Sequence, residues 1–279
     1  IHELERRLGF SLFARTSRRV ELTAKGALFL DWARRLIIET DWINQAARDI
    51  RSNQLRSGAA HHSGLIAARR ALIEHFILAY PATPMKITGG SPAQLYAELS
   101  RQEIDIAIAL EPDAQTAGVS AVESGVSDEF ERLVLASKPM TLLAPREHEW
   151  AKRNIIRAGA LRGQRVMTIN RAHGVALSEA VARQLSAAGA EIVHPPEGDA
   201  PSVARYGALL RTPAVSFGWF NTHDETMIER PAADLDLKTN LSLIRSRRPQ
   251  RPGALAFWAA AEAIVERKAV GAATEFLPS

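Results

Sequence analysis

Arginine side chains near the start of the sequence have the type and spacing to bind a polyanion. Residues 1–35 hold eight basic and four acidic side chains, and this excess of four equals the net charge of +4 of all 279 residues. A basic cluster on an otherwise neutral chain indicates one end that binds an extended anion such as nucleic acid. The alternative is an arginine-rich protein whose charges are unevenly spread without functional meaning.

The rest of the sequence offers no motif for catalysis. It has no cysteine, which excludes a thiol nucleophile, a disulfide scaffold and a cysteine-ligated metal within these residues. It also has no glycine-rich phosphate loop and no nucleophile elbow. His148 lacks the second histidine of a helical zinc site, and the polar runs 61–62 and 223–225 are predicted to be loops. We therefore expect no enzyme, no cofactor and no metal.

The basic cluster coincides with a pattern of helix, hairpin and helix. Apolar residues at helical spacing run up to Gly9, the expected end of a first helix. Residues 12–15 and 20–22 are predicted to form a two-stranded hairpin with a polar tip. Thr23 is a good N-cap for the helix that follows. This order is typical of the tail of a winged helix-turn-helix.

A long helix is predicted next, because no proline occurs from Ala24 to about Arg56. Residues suited to a helix–helix seam recur there at alternating steps of four and three. They are Phe29, Ala33, Leu36, Thr40, Ile43, Ala47, Ile50 and Gln54. An a/d seam of this length predicts a helix that pairs with a second chain. The alternative is an amphipathic helix that lies on its own domain.

Beyond Ser57, strands and helices alternate, as in an α/β fold. The almost wholly apolar stretch 104–108 is typical of a buried parallel strand. Further strands are predicted at 86–88, 140–144, 166–169, 191–193, 215–220 and 241–244. Helices are predicted at 177–187, 202–210 and 255–267. The length favours about two domains, and no hydrophobic run is long enough to span a membrane.

Several short motifs, in this order, resemble those of a known family. The first consists of Ile1-His2-Glu3-Leu4-Glu5, Leu8-Gly9, Leu12-Phe13, Arg15, Arg18, Leu22-Thr23 and Gly26. It resembles the end of the DNA-binding domain of LysR-type transcriptional regulators. The stretches 103–108 and 141–145, and the strand at Val166, are similar to the effector-binding module of the same family.

The resemblance implies an α/β protein with three parts. These are a truncated winged helix-turn-helix (1–23), a linker or dimerisation helix (24–56) and a two-lobed, periplasmic-binding-protein-like effector module (57–279). Lobe I would comprise 57–110 and 232–279, and lobe II would comprise 111–231. The family's first helices would precede Ile1, so we expect this sequence, which starts without Met, to be a fragment.

The resemblance also implies four candidates for DNA contact: Arg15, Arg18, Arg19 and Thr23. Arg15 and Arg18 occupy positions that in the family approach the DNA backbone and the minor groove, where narrow A·T-rich tracts attract arginine. Arg19 and Thr23 are candidate phosphate contacts. The alternatives are a solvated charge for Arg19 and helix capping alone for Thr23.

The effector site is expected in the cleft between the lobes, where strand ends and helix N-termini meet. The candidates are Ser63 and Ser91 in the first lobe, Thr168 and Asn170 in the second, and His62 and His173 nearby. In the family such turns supply hydroxyls to a small carboxylate or similar inducer. The alternatives are helix capping for the serines, burial within a strand for Thr168, and a structural or exposed position for the histidines. The polar stretch 55–63 departs from the apolar first strand that the family leads us to expect.

The resulting hypothesis is a cytoplasmic LysR-type transcription regulator. It would bind double-stranded DNA as a homodimer or homotetramer and respond to a small-molecule effector such as a carboxylate, with no membrane partner. One alternative is a solute-binding protein of a transport system, which would need neither the hairpin nor the long helix. The other is an enzyme on the same scaffold, for which the sequence offers no catalytic constellation.

Overall fold

A computed structural model of the chain describes residues 1–15, 19–61, 63–113, 128–171, 174–220 and 225–274. The chain divides into two compact units, Ile1–Asn53 and Gln54–Ser279. Within the described ranges, no helix is both long enough and apolar enough to cross a membrane.

The first unit begins with the predicted helix and hairpin. Helix α1 (His2–Leu8) ends at Gly9, whose φ of 74° is left-handed and directs its N–H to the carbonyl of Glu5. Strands β1 (Phe13–Arg15) and β2 (Val20–Leu22) pair antiparallel. The helix–hairpin order predicted from the sequence is therefore confirmed.

Backbone contacts hold the hairpin between α1 and the next helix, α2 (Ala24–Ser52). The carboxylate of Glu5 accepts hydrogen bonds from the N–H groups of Leu12 and Phe13, at 2.7 and 3.1 Å. A Cβ at Gly26 would lie 2.1 Å from the carbonyl oxygen of Leu12. Glycine is required there because only a residue without a side chain lets α2 approach the hairpin so closely.

Helix α2 covers 29 residues and ends at Ser52, so Gln54, the last residue of the predicted seam, lies outside it. Phe29 packs edge-on against Phe10 within the unit, with ring centroids 6.3 Å apart. Many other apolar side chains of the helix are exposed. They are Leu28, Trp32, Leu36, Ile37, Ile38, Trp42 and Ile43. The helix thus carries a broad apolar surface that the rest of the first unit leaves exposed.

The second unit contains two sheets. The first is built from β3 (Leu55–Ala60), β4 (Met85–Gly90), β5 (Ile106–Pro112), β6 (Phe130–Pro139) and β13 (Lys238–Ser246), in the order β4-β3-β5-β13-β6. The second is built from β7 (Thr141–Pro145), β8 (Ile156–Arg157), β9 (Arg165–Met167), β10 (Glu191–Val193), β11 (Ala214–Ser216) and β12 (Met227–Ala233), in the order β10-β9-β11-β7-β12-β8. The chain passes to the second sheet after β6 and returns to the first after β12.

Helices cover the sheets of the second unit, as expected for an α/β fold. They are α3 (Ala67–Ala79), α4 (Pro92–Ser100), α5 (Val175–Ala187), α6 (Ala200–Leu209) and α7 (Pro252–Thr274). The central strands are buried on both sides, and β5 runs parallel to β3, which runs parallel to β4. This explains why the stretch 104–108 is almost continuously apolar.

Strand β3 is a buried strand although its sequence is polar. Leu55, Ser57 and Ala59 are buried, and small residues are needed beside them. A Cβ at Gly58 would lie 2.5 Å from the side chain of Leu95 and 2.6 Å from that of Ile104. The departure from an apolar first strand therefore reflects close packing against these side chains, since bulkier residues would not fit.

Strand β6 was not predicted from the sequence. It lies within the range 111–231 expected for lobe II, yet it pairs with β13 in the first sheet. The register between the two strands shifts at Leu241/Ser242, and only Phe130 and Leu135 of β6 are buried. A strand at a sheet edge with an interrupted register lacks the strict alternation that signals a strand.

The start of the first sheet is fixed by a buried ion pair between Arg56 and Asp105. Nη2 of Arg56 lies 2.9 Å from Oδ1 of Asp105, with the two side chains only 14% and 6% exposed. The backbone N–H of Arg56 also donates to Asp105, at 2.8 Å. Nε of Arg251 lies 3.7 Å from the same carboxylate. Asp105 thus compensates two partly buried cations.

We expect Asp105→Ala to lower the free energy of unfolding by about 3–5 kcal/mol, because it leaves buried arginines without their counter-charge. Urea unfolding of the purified chain measures this. Glu103→Ala, two residues away, is the control, since Glu103 pairs with the exposed Arg101 and should change stability little. Equal losses of stability in the two variants would show that the buried ion pair stabilises the fold no more than the exposed one does.

Candidate functional site

The basic hairpin of the first unit carries the candidates for DNA contact. The backbone of Arg15 lies in β1 opposite Val20, and Arg19 is exposed just before β2. Arg18 lies outside the described residues. In α1, by contrast, Arg6 and Arg7 both pair with Glu3, at 2.5 and 3.1 Å. Two basic residues of α1 thus have an acidic partner within the helix.

The hydroxyl of Thr23 is used within the first unit. It donates a hydrogen bond to the carbonyl of Ser11 at 2.7 Å and accepts one from the N–H of Gly26 at 2.9 Å. This is the geometry of a helix N-cap. Because its proton is already bonded, Thr23 has no hydroxyl proton left for a phosphate, and the capping alternative describes its contacts.

Ser63 and Ser91 follow the ends of two neighbouring parallel strands, where Ala60 of β3 is paired with Gly90 of β4. Ser63 is 1% exposed, and its Oγ has no hydrogen-bond partner among the described residues. Ser91 is the N-cap of α4 and accepts a hydrogen bond from the N–H of Gln94. Both serines thus lie at one sheet edge; the Oγ of Ser91 accepts a capping hydrogen bond, whereas that of Ser63 is buried without a described partner.

Thr168 and Asn170 follow β9, which lies between β10 and β11 in the second sheet. The side chain of Thr168 is completely buried, and its Oγ1 also lacks a hydrogen-bond partner in the described part of the chain. Its N–H donates to the carbonyl of Val193 at 2.9 Å. Asn170 lies over Gly198, where a Cβ would come within 2.0 Å of the amide carbon. Thr168 is therefore buried, as the alternative predicted. Burial alone does not explain why its hydroxyl has no described hydrogen-bond partner.

The two halves of the candidate cleft come together beside Ser91. A Cβ at Gly174, which precedes α5, would lie 3.4 Å from Cγ of Pro92. Gly174 has a φ of 149°, which favours glycine. The turn before α5 therefore touches the first turn of α4. The two histidine candidates, His62 and His173, lie outside the described residues.

A family model described as "LysR substrate binding domain" matches residues 52–264. The chain belongs to the LysR substrate-binding domain family. The resemblance drawn from the sequence is thereby confirmed, and so is the two-lobed α/β fold that it implied.

The LysR assignment agrees with individual relatives. The DNA-binding transcriptional dual regulator OxyR of Escherichia coli K12 is 27% identical over 177 residues, which is 62% of this chain and 53% of OxyR. A hydrogen peroxide-inducible genes activator of Haemophilus influenzae is 27% identical over 179 residues, 62% of this chain and 54% of the relative. This chain matches only about half the length of these curated relatives.

Solved structures show the same LysR fold. The LysR family transcriptional regulator CbnR superposes with a TM-score of 0.59 at 18% identity, covering 93% of this chain and 87% of CbnR. Full-length BenM superposes with a TM-score of 0.62 at 16% identity, covering 96% of this chain and 86% of BenM.

A cluster at the crossover of the LysR domain was missed by sequence reasoning. Trp219, after β11, donates its indole N–H to the buried hydroxyl of Thr239 at 2.6 Å. Nζ of Lys138 lies 5.1 Å from the ring centroid of Trp219 and donates to the carbonyl of Gly218. Lys138 and Thr239 lie on β6 and β13, which enter and leave the crossover. The cluster thus ties the second sheet to both connections.

Substitution by valine should affect protein stability differently at two buried threonines of the LysR domain. Thr239→Val leaves the indole N–H of Trp219 unpaired, so we expect a loss of about 1–3 kcal/mol in the free energy of unfolding. Thr168→Val removes a hydroxyl without a described partner and should leave stability unchanged or raised. Urea unfolding of both variants measures this. A destabilised Thr168→Val protein would contradict the unused hydroxyl.

Proposed function

We propose that the protein is a LysR-type transcription regulator that binds double-stranded DNA and responds to a small molecule between its two lobes. One observation carries this proposal. A LysR substrate-binding domain is joined in one chain to a basic hairpin and a 29-residue helix. A module that only bound a solute would have no use for these elements, so the transport-protein alternative is not favoured.

Electrostatics support DNA as the partner of the first unit. The net charge of the chain lies in its first 35 residues, and a charge excess confined to one end attracts a polyanion from a distance. Arg15, Arg18 and Arg19 are the side chains that we assign to DNA, with Thr23 capping the helix behind them. CbnR, a structural neighbour with a TM-score of 0.62, has been solved in complex with its target DNA.

The exposed apolar residues of α2 support a dimer or a higher oligomer. Leu28, Trp32, Leu36 and Ile43 recur on one side of the helix and are exposed. Burying such a surface against a second copy removes it from water, which is the main driving force of association. Paired helices would place two hairpins on a partly palindromic DNA site. A cytoplasmic location follows from DNA as the partner.

The two unused hydroxyls support an effector site between the lobes. Ser63 follows β3 of the first sheet and Thr168 follows β9 of the second, and both are buried without a described partner. A buried polar group without a hydrogen bond is costly, and a ligand that bonds to both hydroxyls would remove that cost. Such a ligand would favour the arrangement of lobes in which both hydroxyls reach it, which is how binding shifts a conformational equilibrium.

The effector is not transferred from the peroxide-responsive relatives. Peroxides react in proteins chiefly with cysteine thiolates, and this chain has no cysteine. We propose reversible binding of a small organic molecule instead. Ile169, Leu177 and Phe217 line a cavity of about 20 Å³, which has room for about one water molecule, so an organic ligand would need the lobes to move apart.

Removing Arg15 or Arg18 in the full-length regulator should weaken DNA binding and reduce its dependence on salt. Each lost phosphate contact lowers the slope of log K against log salt by about 0.9. Fluorescence anisotropy with an A·T-rich duplex measures both quantities. Arg153→Ala is the control, because Arg153 pairs with Glu149 in the LysR domain. Unchanged affinity and slope in both hairpin variants would remove the hairpin from the DNA-binding surface.

Thr168→Val should weaken effector binding while the protein stays folded and binds DNA. A thermal-shift screen of the chain against small carboxylates and aromatic compounds supplies the ligand, and calorimetry then measures its affinity for wild type and variant. Losing one hydrogen bond to a buried ligand lowers affinity by about tenfold. If the variant binds the screened ligand as tightly as the wild type, the effector site lies elsewhere.

A further inference from the structure

The first turn of helix α3 carries an unusual charge. Arg69 and Arg70 lie in this turn, and the turn contains no acidic residue. Ile66, the N-cap residue, provides no side-chain acceptor for the first N–H groups of the helix. Cations are unfavourable at the N-terminus of a helix, because the aligned peptide dipoles leave a partial positive charge there. The arrangement therefore costs free energy unless an anion compensates it.

Arg69 lies against the short turn Ser63–Leu65 that precedes α3. A Cβ at Gly64 would be 3.1 Å from Nη1 of Arg69, so the guanidinium contacts the backbone of that turn. Nε of Arg69 is buried and has no hydrogen-bond partner among the described residues. Burial lowers the pKa of this guanidinium, but arginine stays protonated at neutral pH. Arg69 is thus a partly buried positive charge.

Several partly buried arginines of the second unit form ion pairs, and Arg230 instead donates Nη2 to the carbonyl of Ala151 at 2.8 Å. Arg56 lies 2.9 Å from Asp105, Arg132 lies 3.4 Å from Glu111, and Arg245 lies 2.8 Å from Glu131. Arg69 forms no ion pair with any acid in the described part of the chain. A buried charge normally requires a partner of opposite sign.

Ser63 adds a second unused group to the same place. Its residue is 1% exposed, its Oγ has no described partner, and it opens the turn that Arg69 contacts. A guanidinium offers donors only, in a planar fork that matches a carboxylate or another oxyanion. A hydroxyl can donate to the same anion. The common complement of these two side chains is an anionic group with at least two oxygen atoms.

We propose that Arg69 is the residue that recognises the charge of the effector, by binding an oxyanion of the ligand together with the hydroxyl of Ser63. The placement of the effector at this turn rests on the proposed function. The chemistry required is that of a carboxylate or an inorganic oxyanion. Binding would satisfy the buried Nε and neutralise the positive end of α3 in one step.

The test uses the 279-residue chain and the variant Arg69→Gln. Arg70→Gln is the matched control, because it removes the same charge from the adjacent, exposed position of the same turn. The probes are sodium sulfate, acetate and benzoate at millimolar concentration, and acetamide and benzamide serve as neutral analogues. Ionic strength is held constant with sodium chloride. Thermal unfolding and isothermal titration calorimetry are the readouts.

We expect at least one anion to raise the unfolding temperature of the wild type and of Arg70→Gln, while its neutral analogue does not. Arg69→Gln should bind that anion at least about tenfold more weakly. A response to sulfate alone would identify an inorganic oxyanion, and a response to a carboxylate alone would identify an organic acid. Without an anion, Arg69→Gln should unfold at a temperature equal to or above that of the wild type, because an uncompensated charge has been removed.

Three results would overturn the proposal: no probe stabilises the wild type, the neutral amides stabilise it equally, or Arg69→Gln retains the response to the anion. Ser63→Ala provides an independent variant, in which anion binding should weaken without loss of folding. Measuring DNA binding by the full-length protein distinguishes a failure of the Arg69 proposal from a failure of the proposed regulator function. If the protein binds DNA but no anion stabilises it, only the role of Arg69 is refuted. If it neither binds DNA nor responds to an anion, the proposed regulator function is refuted.

Discussion

The bond between Asp105 and Arg56 is the constraint on which the effector domain depends. It joins the starts of two adjacent parallel strands, and the same two residues also exchange backbone contacts. On the other side of β3, its parallel pairing with β4 brings Ala60 level with Gly90. The turns that hold Ser63 and Ser91 therefore emerge at one edge. The ion pair thus fixes β3 against β5 at one end, and the β3–β4 pairing places the two turns at the other end.

Most of the fold follows from periodicity, and the exceptions have physical causes. The strand at Glu191–Val193 and the helix–hairpin pattern at the start of the chain were predicted from local residue spacing and from turn residues such as Gly9. Strand β6 escaped prediction, since a register shift in its pairing with β13 interrupts the alternation. Strand β3 lacks the apolar sequence of a buried strand because the side chains beside Gly58 leave no space for a larger residue there.

The candidate site could be predicted only as far as strand ends determine it. The rule that carboxyl ends of strands meet at one edge located Ser63 and Thr168, but it could not say which hydroxyls would remain unused. Thr23 and Ser91 both satisfy the backbone of the helix that they begin. Arg69 gave a local signal, a pair of basic residues in the first turn of a helix. The pairing of Trp219 with Thr239 gave none, because it joins distant segments through side chains.

Trp219 also has a spectroscopic consequence. Its indole is buried, bonded to Thr239 and placed 5.1 Å from the ammonium group of Lys138. A nearby positive charge and a hydrogen bond at the ring nitrogen both change the emission of tryptophan. Any rotation of one lobe against the other alters this environment, since the three residues belong to different sides of the crossover. The protein therefore contains an intrinsic fluorophore that reports lobe movement without an attached dye.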